Sequence, residues 1–265
     1  MTKKFTIQDL EFNTDLSQIT QLILSKIKEK KSLSVIRIGD GEIAVLNGGE
    51  KGRKHFYYVH LGRELSPTHM EEINKNIKNA IINCDVLGVP PKHSETSGNP
   101  YWKISKSTIL DILNESKFVK EKKICSMGIH YELMNPNGID VILKSVEELY
   151  LVTSRDVEKQ LKQKFPNIKK ITTYKIPGEY VYEDNRKYED FYPTIYKKIE
   201  SEFLKNNYSG KLLLIGGGFV GKNLSVIFAN QGGVSIDLGS VFDNFVGKIT
   251  RGAGKGPNQY RKPSL

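Results

Sequence analysis

Two carboxylates one residue apart, Asp40 and Glu42, follow directly on a short β-rich run in Arg37-Ile38-Gly39-Asp40-Gly41-Glu42. Hard oxygen donors of this kind suit Mg²⁺ or Mn²⁺, which take one or two protein carboxylates and complete their shell with water and substrate phosphates. In extended backbone, residues i and i+2 point the same way, so Asp40 and Glu42 are expected to face one ligand together. Gly39 and Gly41 permit a sharp turn there and let a ligand approach the main chain. The same spacing recurs at Asp9-Leu10-Glu11 and Asp156-Val157-Glu158. The first copy lies near the N-terminus. The second reads as a first helical turn, where acids favour the dipole. Only the copy at 40–42 joins a strand end to flanking glycines. On spacing alone, metal or nucleotide binding and an ordinary turn with solvated acids both stay open.

A second candidate lies far along the chain. Leu212-Leu213-Leu214-Ile215 runs into Gly216-Gly217-Gly218-Phe219-Val220-Gly221, then a helical stretch, then Val234-Ser235-Ile236 with Asp237 at its end. This fits G-x-G-x-x-G followed by an acid, the pattern of a dinucleotide site, and gives an NAD-dependent oxidoreductase as one alternative. Its position argues against that alternative, because a Rossmann unit normally opens its domain and needs further strands after the acid. The glycines better fit close packing of strand, turn and helix, with backbone N–H groups offered to a phosphate at the helix N-terminus. Lys222 could add a cationic contact, and Asp237 and Asp243 could reach the same cleft, with helix capping or solvation as the plainer role for each acid.

The elements that must position these residues alternate along the chain. Strands are expected at 33–38, 85–89, 123–127, 149–153, 169–174, 212–215 and 234–238. Helices are expected from Leu16 to Ile27 behind Thr14 or Asp15, from Ser66-Pro67 to Ile81, and near 105–117, 138–147, 156–164, 189–206 and 219–230. Short continuous apolar strands separated by helices predict an α/β fold, a single Rossmann-like domain with a mainly parallel sheet flanked by helices. Ligands in such sheets bind beyond the carboxyl ends of the strands. The polar stretch Pro90–Trp102 (PPKHSETSGNPYW) is expected to be a mobile loop. No repeat or linker interrupts the alternation, so one domain over 1–246 and a basic tail over 247–265 are expected.

A chain of 265 residues can bury a sizeable core, and its ordinary composition excludes a disordered, collagenous or coiled-coil chain. Two cysteines, Cys84 and Cys125, cannot build a disulfide scaffold and form no zinc-ligand spacing with the five histidines. No apolar run is long enough to span a bilayer and no signal peptide opens the sequence, so a cytoplasmic protein is expected. The net charge of +10 suits an anionic partner: nucleic acid, an acidic leaflet or a phosphorylated small molecule. Part of that charge sits in the tail, at Lys248, Arg251, Lys255, Arg261 and Lys262, which could touch the inner face of a membrane or, in a second alternative, nucleic acid without catalysis.

Arg37-Ile-Gly-Asp-Gly-Glu42, together with Leu214-Ile-Gly-Gly-Gly-Phe-Val-Gly-Lys-Asn-Leu224 and Ser235-Ile-Asp-Leu-Gly239, resembles the GT-D glycosyltransferases. These are bacterial enzymes of Rossmann-like fold that transfer a sugar from a nucleotide donor, typically a UDP-sugar, with a divalent metal and a D-x-E motif. The resemblance implies transfer of a hexose to a glycan or glycoprotein acceptor, with Mn²⁺ or Mg²⁺ as cofactor and nucleic acid as an improbable partner. It implies that Asp40 and Glu42 hold or orient the metal and that Gly216 and Asp237 belong to the donor site. Many relatives carry His and then an acid two residues later after that second strand, where this chain has Ser240 and Phe242; Asp243 could replace those contacts.

Around that core, Arg37 and Arg155 are candidates for phosphate, beside Gly39, Gly41, Gly217, Gly218 and Lys222. An inverting transfer needs a base for the acceptor hydroxyl. Glu179, Asp184 and His130 are candidates from strand-end loops, with Glu179 the first choice and His130 also placed in the substrate site. Tyr180, Tyr182, Tyr188, Phe191 and Tyr192 could form a sugar-stacking wall or pack a helix.

Overall fold

Seven short aliphatic runs pair side by side and all in the same direction in the computed structural model, which describes residues 4–96, 98–179 and 190–247. In chain order the elements begin with α1 (Leu16–Lys28), β1 (Leu33–Arg37), α2 (Asp40–Asn47), α3 (Gly49–Leu61), α4 (Pro67–Asn83), β2 (Val86–Val89) and α5 (Pro100–Glu115). There follow β3 (Lys123–Ser126), the short α6 (Ile129–Glu132) and α7 (Val141–Lys144), β4 (Glu148–Thr153), α8 (Glu158–Lys164) and β5 (Lys170–Lys175). The described part closes with α9 (Tyr196–Lys205), β6 (Leu212–Ile215), α10 (Gly218–Asn230), β7 (Val234–Asp237) and the short α11 (Phe242–Phe245).

The sheet order is β3-β2-β1-β7-β6-β4-β5, and every pairing is parallel. Register at the centre sets Val35 beside Ile236 and Leu214 beside the same residue on the other flank. Those central strands are buried on both faces, which is why they read as unbroken apolar runs instead of alternating ones. One face packs under α4, α5, α9 and α10, through Ile77, Ile109, Phe203 and Phe228 among others. The opposite face packs under α1, α7, α8 and α11, through Ile23, Leu143, Leu161 and Phe242. Each such aliphatic or aromatic side chain contributes roughly 1.5–3 kcal/mol on leaving water.

Local signals explain most boundaries. Asp15 caps α1 by accepting the Gln18 N–H at 2.9 Å, and Ser66 caps α4 by accepting the His69 N–H at 3.3 Å ahead of Pro67. α10 has no polar face, and Phe219 to Ala229 are all buried, as a helix wedged between α4, α9 and the sheet must be.

Two expectations change. Residues 40–42 are helical, not extended, because α2 starts at Asp40. The region 90–102 holds a 3₁₀ turn over Lys92–Thr96 and the start of α5 at Pro100. α3 carries no clear apolar stripe in its sequence. It holds its place through Tyr57, fully buried against Phe219, and through Gly52, where a Cβ would fall 2.7 Å from the Tyr101 hydroxyl.

Chain direction then opens a crevice. β1 and β6 lead into α2 and α10 on one face, whereas β4 and β7 lead towards α8 and α11 on the other. Loops leaving neighbouring strands for opposite faces diverge, and ligands bind between them. Among the described residues no helix is long and apolar enough to cross a membrane.

Candidate functional site

The crevice is a cleft of about 950 Å³, counting space open to solvent, at the carboxyl ends of β1, β7, β6, β4 and β5. Arg37, Gly39, Asp40, Gly41 and Glu42 line one wall; Gly216, Gly217 and Gly218 line the floor; Arg155, Glu179 and Asp243 line the far side. The N-termini of α2 and α10 both open into it, so two positive dipole ends meet in one space. Glycine is required where the walls close in. Gly239 has φ of +53°, and a Cβ on it would fall 1.9 Å from Nη2 of Arg37. That glycine lets the guanidinium lie flat against the turn after β7.

The D-x-E acids part company. On a helix, residues i and i+2 diverge, and here Asp40 stays at the cleft while Glu42 turns inward and is only 5% exposed. Glu42 Oε2 accepts the Gly39 N–H at 2.7 Å, closing the first turn of α2 as a capping-box acid does, and Oε1 lies 3.1 Å from Lys222 Nζ. Lys222 Nζ also donates to Asp237 Oδ2, and Arg37 Nε lies 3.9 Å from that same oxygen. Lys222 and Asp237 are 2% and 4% exposed and are not among the residues lining the cleft. The cationic contact expected of Lys222 and the ligand contact expected of Asp237 are therefore corrected to structural roles beneath the floor.

Asp40 is held differently. Oδ1 accepts the Gly41 N–H at 3.0 Å and Oδ2 accepts the Asn99 side-chain amide at 3.2 Å. Asn99 is itself fixed, because its Oδ1 caps α5 by accepting the Tyr101 N–H at 3.0 Å. Across the cleft, Arg155 Nε donates to Asp243 Oδ1. His60, on the last turn of α3, points its Nδ1 at Glu179 Oε1 at 3.4 Å.

The model of the GT-D fold-like domain family matches residues 14–245. This chain belongs to that family. Solved structures similar to this GT-D-like chain include a glycosyltransferase of Streptococcus sanguinis containing the domain of unknown function 1792, at 16% identity and a TM-score of 0.49, over 83% of this chain and 79% of that one. Another is a structure of that domain described as having a distinct glycosyltransferase fold, at 19% identity and a TM-score of 0.45, over 82% of this chain and 75% of the other. No curated protein matches the chain.

Within the GT-D-like cleft, the structure brings together Arg37, Gly39, Asp40, Gly41, Glu42, Arg155, Glu179 and Gly216 to Gly218. His130 does not join them. It is 3% exposed on α6, its ring 4.0 Å from that of Tyr131, and it is not among the lining residues. Of the expected aromatic wall, Phe191 lines the cleft and Tyr192 packs in the core with its hydroxyl on Glu72. Tyr180, Tyr182, Asp184 and Tyr188 lie outside the described residues, as does the tail from Lys248 onward. Asn99 and His60 were not singled out from sequence, although Asn99-Pro100 is an N-cap followed by proline at the first helical position, a legible helix start.

Among the described residues no cluster of three or more His, Cys, Asp or Glu could hold a metal by itself. Of the two motif acids Asp40 is the better placed for a divalent ion, because Glu42 is turned inward onto the Lys222 ammonium whereas Asp40 stays at the cleft and meets only neutral donors from Gly41 and Asn99; substrate phosphates would complete the shell.

Burial pushes the Glu42 carboxyl up, but the charges of Lys222 and Arg37 and the Gly39 N–H outweigh that and hold it below its usual value of 4.5. A depressed folded value means the stabilisation is complete above 4.5 and is lost as pH falls through the folded value. Glu42→Gln should accordingly be less stable than the wild type at neutral pH and lose less further stability on acidification. Melting temperatures measured from neutral to acid pH check this, and parallel curves for the two proteins would refute it.

Proposed function

We propose that the protein is a divalent-metal-dependent glycosyltransferase that moves a hexose from a UDP-sugar to a glycan or glycoprotein acceptor. The observation that carries this is the convergence of two helix N-termini on one cleft whose walls hold Asp40, Arg37 and Arg155. A diphosphate is the ligand that such an arrangement suits, since backbone N–H groups and the dipole ends both favour concentrated negative charge. Asp40 would hold Mn²⁺ or Mg²⁺ against the phosphate oxygens, and the bound ion would neutralise charge developing on the departing diphosphate. Arg37 and Arg155 would add fixed positive charge on either side. Each is oriented by an acid, Asp237 for Arg37 and Asp243 for Arg155. Glu42 shapes the turn that presents Asp40, through Gly39 and Lys222. The basic segment 247–265 is a candidate for peripheral contact with an acidic membrane surface.

The oxidoreductase alternative needs the acid after β7 to receive a ribose hydroxyl. Asp237 is committed to Lys222 and Arg37 instead, which disfavours NAD.

UDP in the presence of Mn²⁺ should raise the melting temperature, whereas NAD should not. At a hundredfold excess over Kd the gain is about 2.7 kcal/mol, or roughly 5 °C for a domain of this size. Equal silence from UDP, other nucleoside diphosphates and their sugars, with and without metal, would sink the proposal.

A further inference from the structure

His60 spans the cleft from a helix that carries none of the expected motifs. Its ring is T-shaped against Phe219 at 5.0 Å and stacked over Phe56 at 6.1 Å, so α10 and α3 together fix its plane. The side chain is 10% exposed and lines the cleft. Nδ1 faces Glu179 Oε1 at 3.4 Å, and Nδ1 also lies 3.6 Å from where Gly218 would carry a Cβ. Nε2 faces the first turn of α2, 3.9 Å from the same position on Gly41. A carboxylate on one ring nitrogen fixes the tautomer and stabilises the imidazolium, leaving the other nitrogen to take a proton. Among the described residues, Glu179 from the loop after β5 faces the ring and Asp40 lines the same cleft; α3 and α10 present aromatic faces.

We propose that His60 is the catalytic base for the acceptor hydroxyl and that Glu179 is its positioning residue, an inference that rests on the glycosyltransferase function proposed above. The acceptor oxygen uses its electron pair to bond the anomeric carbon and gives its proton to His60 Nε2. The bond from that carbon to the diphosphate oxygen breaks, and its electron pair leaves with UDP. The imidazolium, held against Glu179, returns its proton to solvent after the products depart. The base role expected of Glu179 from sequence passes to the histidine that it orients.

The test compares wild type, His60→Ala, His60→Gln and Glu179→Gln for UDP release from a panel of UDP-hexoses with Mn²⁺, water serving as acceptor, between about pH 5 and 9, where an imidazole changes charge. UDP binding, read by thermal shift, is followed in parallel. Both His60 variants should bind UDP like the wild type, release it about 10²–10⁴-fold more slowly, and lose the acidic limb of the kcat/KM profile. Glu179→Gln should keep that limb but move it to lower pH, because the carboxylate no longer favours the imidazolium. Release by the His60 variants within about threefold of wild type, where a general base supplies far more, overturns the inference alone. So does a loss of UDP binding that matches the loss of rate, which would make His60 a donor contact. A wild type that neither binds UDP nor releases it from any donor overturns the inference and the proposed function together.

Discussion

Lys222→Ala should lower stability by about 3–5 kcal/mol, the scale of removing one partner from a buried ion pair. Its ammonium, 2% exposed, lies between Glu42 and Asp237, which are themselves 5% and 4% exposed. Without it two carboxylates are stranded away from water with one more distant cation, Arg37, near them. The damage would spread, because Glu42 ties the start of α2 and Asp237 the end of β7, and both meet a residue of α10. Lys222→Met, which keeps most of the apolar stem, should fare little better, since the loss is mainly electrostatic. Adding Glu42→Gln and Asp237→Asn to Lys222→Met should recover part of the stability, because neutral amides cost less to bury than unpaired charges. Urea midpoints at constant m report these differences directly. A single Lys222→Ala midpoint equal to that of the wild type would show that the three charges are not coupled.

Asp40→Asn should behave in the opposite way, sparing the fold and stopping metal-dependent turnover. Asp40 is partly exposed, is held by hydrogen bonds from Gly41 and Asn99, and forms no ion pair among the described residues. Its amide analogue can keep the Gly41 hydrogen bond through one oxygen, so stability should stay within about 0.5 kcal/mol. Loss of the carboxylate proposed to hold the divalent ion should reduce UDP release by roughly 10²–10³-fold, the scale of deleting one preorganised electrostatic group. Mn²⁺ titration of UDP release, beside melting curves, separates the two effects. Glu42→Gln would lose both activity and stability, so equal behaviour of the two variants would overturn the division of labour between the acids. Rescue of Asp40→Asn by no concentration of Mn²⁺ or Mg²⁺ is expected, because the amide oxygen carries no charge to recruit the ion.

All seven strands of the described fold were legible to within a residue at either end, because fully buried parallel strands announce themselves as short apolar runs. Leu212–Ile215 is the plainest case. The helices with one apolar face, α1 and α4, and their caps Asp15 and Ser66 were equally clear. α3 was not, because Gly49, Gly52 and a run of charges hide a helix whose stability comes from tertiary contacts of Tyr57 and not from its own pattern. The site was legible as a set of loops but not as a set of roles. Spacing placed Asp40 and Glu42 side by side on an assumed extended chain; the glycines at 39 and 41 instead start a helix and send the two acids different ways. The clue was present, since Asp156-Val157-Glu158 was read as a helix start and the apolar Ile43-Ala44-Val45 follows Glu42 in the same manner. In sequence, Lys222 behind a glycine turn resembles a cationic clamp on phosphate. Only the fold reveals two buried acids waiting for it. His60 had no local signal at all, as its partner lies in a loop more than a hundred residues away.

The paired helix ends have a consequence for turnover under the proposed function. Backbone N–H groups aimed at a diphosphate hold it as firmly after the sugar has gone as before, since none of them touches the part that is transferred. Spent nucleotide therefore competes with fresh donor for the same seat, and other polyanions do so in proportion to their charge. Sustained throughput then depends on how quickly the surroundings clear UDP, and assays buffered with inorganic phosphate would underestimate the rate.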